Sequence, residues 1–146
     1  MGEQVQWLRD TLAGRPRSAL VRPERPGKWS VGQVLRHLAD TEWVHGYRAR
    51  KAVAESGSPI LGYDQDKWAQ GLRYAEADPA ASLEEVAVLR VLNLRWLDGL
   101  AEEELDRFGE HNERGRESVR RMVTLIGAHD LLHRAQITRI LASVEG

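Results

Sequence analysis

The C-terminal stretch constrains the fold of this chain more than any other segment. From about Ser118 onward, Val119, Met122, Val123, Ile126, Ile137 and Ile140 recur at helical spacing, and His129, His133 and Gln136 fall in the same stripe. Such a segment is a long helix that buries one face and carries two imidazoles toward the interior. His129 and His133 are four residues apart, so their side chains leave one face about 40° apart, one turn above each other.

Three more helices follow from the pattern. The first, Gln4 to Ala13, sets Val5, Leu8 and Leu12 at helical spacing. It stops near Gly14-Arg15-Pro16, because proline disfavours helix in the residue before it. A loop holding Pro16, Pro23 and Pro26 comes next. The second helix begins at Ser30, with Gln33 completing a capping box, and runs to about Glu55, before Gly57 and Pro59. The third is expected to open at Ser82, with Glu85 forming a second capping box, and to end near Gly99. Two longer connections remain: Ser56 to Ala81, with a short helix around Asp64 to Gly71, and Ala101 to Glu117. Both are long enough to cross a bundle end and wall a pocket. Strand signals are weak throughout. The expectation is an all-α four-helix bundle, one domain over 1–146, with a short extra helix in the second connection.

Composition narrows the chemistry. With 21 Lys+Arg against 22 Asp+Glu there is no basic excess to drive binding to nucleic acid or an anionic membrane, so neither is expected as a partner. The absence of cysteine removes disulfides, thiolate nucleophiles and Cys-type metal sites together. Glu3, Arg9, Asp10 and Arg15 interrupt the apolar residues of the first twenty, and no run approaches a membrane span, so a soluble cytoplasmic protein is expected.

Histidines at this spacing also occur by chance on solvated helices. Here they continue the stripe of Ile126, Ile137 and Ile140, which turns both rings inward. A buried polar group without a partner costs about 1–3 kcal/mol, whereas a metal site returns on the order of 10 kcal/mol. Converging imidazoles are therefore best explained by an ion between them, provided a third ligand exists; the alternative is that each ring meets a carboxylate or carbonyl. His37, His45 and His111 are the candidates. Helical phase on the second segment slightly favours His45, near the centre of the arc of Val31, Val34 and Leu38, with His37 at its edge.

A different kind of argument selects His37. The block Lys28-Trp29-Ser30 followed by His37-Leu38-Ala39-Asp40-Thr41-Glu42, together with the C-terminal His129-Asp130-Leu131-Leu132-His133, resembles the DinB-like (DinB/YfiT) metalloenzyme superfamily in order and separation. Asp64-Gln65-Asp66-Lys67-Trp68, Arg90 and His111-Asn112-Glu113-Arg114-Gly115 are similar as well, so the likeness runs from Trp29 onward. The resemblance implies an up-down-down-up bundle and a three-histidine divalent metal site, carried here by His37, His129 and His133. It also implies a small-molecule substrate, and some members are thiol-dependent S-transferases while many have no assigned activity. Family members are often dimers, so a homodimer is expected.

Three neutral imidazoles leave an ion open positions for water and substrate, as in catalytic sites. The donors suit zinc, nickel, cobalt and iron, with zinc or nickel expected. Two reaction types follow: hydrolysis with water as nucleophile, or sulfur transfer with an external low-molecular-weight thiol. A non-catalytic small-molecule or metal-binding module is the reading from another class. Among neighbouring residues, Asp40 is a candidate to orient an imidazole or accept a proton, and Asp130 reads as a surface or supporting residue. Gln136 reads as a hydrogen-bonding partner in the stripe. Arg90 and Asn93 face either the pocket or a buried ion pair. His45 and His111 are spare histidines with no expected role.

Overall fold

The structure is a computed structural model that describes residues 2–145; Met1 and Gly146 lie outside the described residues. Among the described residues the elements run α1 (Glu3–Leu12), α2 (Arg17–Val21), α3 (Val31–Ala54), β1 (Pro59–Ile60), α4 (Gln65–Gly71), α5 (Pro79–Asp98), β2 (Phe108–His111), β3 (Gly115–Ser118) and α6 (Val119–Glu145), with 3-10 turns at Tyr74–Glu76 and Glu102–Asp106. The capping box of α3 is present as read, Ser30 Oγ accepting from the Gln33 amide and Gln33 Oε1 accepting from the Ser30 amide. No helix among them is long and apolar enough to cross a membrane.

The four long elements α1, α3, α5 and α6 form the bundle, and side-chain pairs give their directions. Arg36 of α3 meets Glu85 of α5, Glu42 meets Arg90, and Gly46 lies against Asn93, so α3 and α5 run parallel. Val31, Val34 and Leu35 pack with Ile137, Ile140 and Leu141, whereas Ala49 and Ala52 pack with Val119 and Met122, so α6 runs antiparallel to α3. With α1 the order is up-down-down-up. These two apolar clusters fill opposite ends of the bundle, and the polar residues of α3 and α6 occupy the length between them.

Two details depart from the sequence reading. The third helix starts a turn earlier than Ser82: Asp78 caps it through the Ala81 amide with Pro79 at the first helical position, and Ser82 is buried inside the helix. Proline at that position gives up an amide that has no helical partner, which makes Asp-Pro a stronger start than Ser-Leu-Glu-Glu. The connections also hold more structure than expected. The Pro-rich segment contains α2, and β2 and β3 form a hairpin, Phe108 opposite Ser118 and His111 opposite Gly115, with β1 parallel to β2. Strands of two to four residues are too short to register as alternation.

Gly46 sets how closely α3 and α5 approach. A Cβ there would stand 2.5 Å from Asn93 Oδ1, and Asn93 is pinned, its amide donating to Glu42 and its oxygen accepting from Arg50. Alanine at position 46 gains about 1 kcal/mol of helix propensity. It also forces the pair apart at an overpacking cost of about 1–3 kcal/mol, with buried hydrogen bonds lost besides. Gly46→Ala is therefore expected to lower the urea midpoint of unfolding; an unchanged or higher midpoint contradicts this packing.

Candidate metal centre

His37 comes from the first half of α3, and His129 and His133 from the middle of α6. The antiparallel register brings them level. His129 Nε2 lies 3.0 Å from His37 Nε2 and 3.0 Å from His133 Nε2. These are also the three residues among those described whose donor atoms group as a metal would require. His37 is fully buried and His133 nearly so. Trp29 of the Lys-Trp-Ser block stacks obliquely on the His37 ring at 5.3 Å between centroids, walling that side.

The register also explains why His37 rather than His45 joins the pair. His45 stands two turns further along α3, and because α6 runs the other way it faces the region of Leu125 and Ile126. Periodicity within one helix carries no information about which residues of an antiparallel neighbour lie opposite.

His133 is fixed through its other nitrogen. Its Nδ1–H donates to Gln136 Oε1 at 2.7 Å, leaving the Nε2 lone pair directed at the cluster. His37 Nδ1 and His129 Nδ1 are buried without a protein partner. Ligand nitrogens on a tetrahedral zinc stand about 3.4 Å apart. The 3.0 Å spacings fall a few tenths short of that, a difference small ring rotations supply. The donor set fits a divalent ion.

Burial keeps the cluster neutral. It is the chief cause holding His37 down to about 3 and His129 to about 4, with the neighbouring imidazoles adding to it. Burial also lowers His133, against an upward pull from Gln136. Neutral imidazole is the form that ligates.

Around the cluster the candidates sort differently from the sequence reading. Asp40 does not touch an imidazole: its oxygens accept from Arg36 at 2.6 Å and from the Tyr74 hydroxyl at 2.5 Å. One turn along a helix separates it from His37, but its side chain faces Tyr74 instead. Asp130 is buried, not on the surface, and holds Arg90 through two bonds of 2.8 and 2.9 Å. Arg90 also meets Glu42 at 2.6 Å, so it is a buried ion pair on both sides and not a pocket-facing cation. Glu42 ends the His37-to-Glu42 block of α3, and nothing in the sequence signals its partner, since only the fold brings Arg90 across from it. His111, read as spare, is buried on β2 and accepts from the Glu113 amide.

A cavity of about 320 Å³ opens beside His129, lined among others by Thr41, His45, Arg48, Tyr63 and Arg114. Thr41 Oγ1 lies 3.5 Å from His37 Nε2 and 3.4 Å from the Tyr63 hydroxyl, linking the cluster to the cavity. Tyr63 and Gly62 come from the connection after β1, and Glu113 and Arg114 from the hairpin turn, so both long connections wall the site as expected. Burial raises Tyr63, which stays protonated at neutral pH, and lowers His45 to about 3.

A family model described as the DinB superfamily matches residues 4–137. The chain belongs to the DinB superfamily. YfiT from Bacillus subtilis, described as a candidate metal-dependent hydrolase with an unusual four-helix bundle topology, has a similar structure: TM-score 0.86 and 27% identity, covering 94% of this chain and 79% of that one. A candidate metal-dependent hydrolase of Oceanobacillus iheyensis is 27% identical over 136 residues, 91% of this chain and 77% of its own. Another from Bacillus cereus is 30% identical over 121 residues, 81% of this chain and 68% of its own. The DinB fold and bundle order inferred from the two histidine blocks are thereby established.

A pH dependence follows from the histidines of this DinB protein. In the unfolded chain they take up protons near 6.5, whereas His37 and His129 resist protonation until about 3 and about 4. Their contribution to stability is complete above about 6.5 and is lost progressively as pH falls toward 4. Thermal melts of chelator-treated protein should show Tm falling steadily from pH 7 to pH 5; a level Tm across that range contradicts it.

Proposed function

We propose that this protein is a metal-dependent hydrolase in which His37, His129 and His133 hold one divalent ion, zinc or nickel. The observation that carries the reading is the convergence of three neutral imidazoles, two buried and the third, His129, half-buried, beside an open cavity. A structural ion would be enclosed by four protein ligands, whereas three leave a position for water and substrate. The candidate hydrolase activity of the relatives supports the same reaction class.

When bound, such an ion polarises a substrate oxygen and lowers the pKa of water toward 7. The chain's own residues supply the rest. Gln136 holds the His133 ring in its ligating tautomer. Trp29 and the apolar cluster beyond it exclude bulk water from the His37 side. The Tyr63 hydroxyl, protonated and next to Thr41, is positioned to donate a hydrogen bond to negative charge developing on a substrate oxygen.

Element analysis of purified protein should give one zinc or nickel per chain, and none for a variant with all three histidines replaced by alanine. Retention of the ion by that variant would refute the site. Gln136→Leu is expected to weaken metal affinity by about 10- to 100-fold. On a panel of activated esters and phosphoesters, Tyr63→Phe should lower kcat about tenfold or more with KM little changed. Conjugation assays with glutathione, bacillithiol and mycothiol belong beside that panel: turnover there with none on the esters would reassign the site to thiol transfer.

A further inference from the structure

Arg48, on the cavity wall, has no part in the proposed reaction. It lies on α3 two turns beyond Thr41 and is 4% exposed. Its guanidinium donates to the Leu61 carbonyl and sits over the Tyr63 ring at 5.9 Å. Among the described residues no carboxylate lies within ion-pair distance of it, unlike Arg90, which has two, and Arg114, which has Glu117. A buried guanidinium keeps its charge, and one without a counter-ion is costly to hold. Burial is the chief cause pressing against its charge, with Arg114 adding to it, while Tyr63, Glu117 and Glu113 pull the other way without forming an ion pair.

The place where it is buried gives this charge a purpose. Arg48, Gly62 and Tyr63 line both the cavity beside His129 and an adjoining groove of about 680 Å³. A single carbonyl leaves most of the five guanidinium N–H donors for another acceptor in these spaces. We infer that the substrate carries a carboxylate, which Arg48 receives while the reacting group lies toward the histidine cluster.

Charge count favours a carboxylate over a phosphate dianion. Of the two arginines on the cavity wall, the exposed Arg114 is paired with the fully buried Glu117, and Arg48 is the one without an ion-pair partner among the described residues. The exposed Glu113 beside the cavity opposes two negative charges carried on one group, as a phosphate dianion would bring. Arginine also presents a fork that matches two carboxylate oxygens, and the tyrosine face holds that fork in place. The inference deepens the hydrolase reading and rests on it for the reaction, though not for the binding.

The test is titration calorimetry with glutarate and with its uncharged analogue glutaramide, on zinc-loaded and on chelator-treated protein. The chelated protein isolates Arg48 from any carboxylate–zinc contact, so its binding is read whether or not the enzyme hydrolyses anything. Glutarate is expected to bind both forms and glutaramide neither. Arg48→Gln should weaken glutarate binding to the chelated form about tenfold or more, and Arg48→Lys, which keeps the charge without the fork, by less. Equal glutarate affinity in wild type and a folded Arg48→Gln would overturn the inference. If Arg48→Gln does not fold, the wild-type comparison decides alone, since equal binding of glutarate and glutaramide overturns it too. Tighter, Arg48-dependent binding of inorganic phosphate would overturn the carboxylate assignment. Hydrolysis failing while glutarate still binds would count against the reaction only.

Discussion

The rest of this structure depends on one buried cation. Arg90 of α5 reaches Glu42 of α3 on one side and Asp130 of α6 on the other, all three side chains almost wholly removed from water. Such a cluster adds little net stability, because desolvation offsets most of the attraction. Its value lies in register. A slip of α5 or α6 by one turn would strand a charge without its partner, so the three helices lock at one height. Asp130 follows His129 in sequence, and Glu42 follows Thr41. Fixing the ion pairs therefore fixes the ring of one helix against the ring of the other.

The bundle is arranged so that this polar layer does not compete with packing. Apolar residues are gathered at the two ends, Leu35 with Ile137 and Ile140 at one and Ala52 with Val119 and Met122 at the other. Between them α3 and α6 present charged groups paired across the bundle, Asp40, Glu42 and Asp130 among them, and imidazoles whose Nδ1 atoms lack a protein partner in His37, His45 and His129. The histidines face one another where burial disfavours their protonation, which suits a cation shared among them better than protons held singly. Thr41 and Tyr63 then lead from the packed interior to a cavity of about 320 Å³.

How much of this was legible in the sequence differs by scale. The long helices, the Ser30 capping box and the inward rings of His129 and His133 follow from periodicity and local chemistry. The third histidine did not, since phase within α3 pointed to His45, and only resemblance selected His37. Asp40, Asp130 and Glu42 show the same limit. Each is polar on a helix and reads as solvated until the partner across the bundle is known, here Tyr74 and Arg90. The short strands and α2 escaped because a few residues cannot display a period. Local rules give elements; opposed elements give partners, and the latter need the fold.

The parallel course of α3 and α5 obliges the chain, on leaving α3, to travel back along the whole bundle before α5 can begin. That return segment carries β1, which pairs with β2 of the hairpin, then Gly62 and Tyr63, which line the cavity, and then α4. The helices thus supply the histidine floor, while this strap and the hairpin turn supply the walls above it. Changing the length or sequence of that strap would reshape the cavity beside His129 while leaving the three imidazoles, which the helices alone hold, where they are.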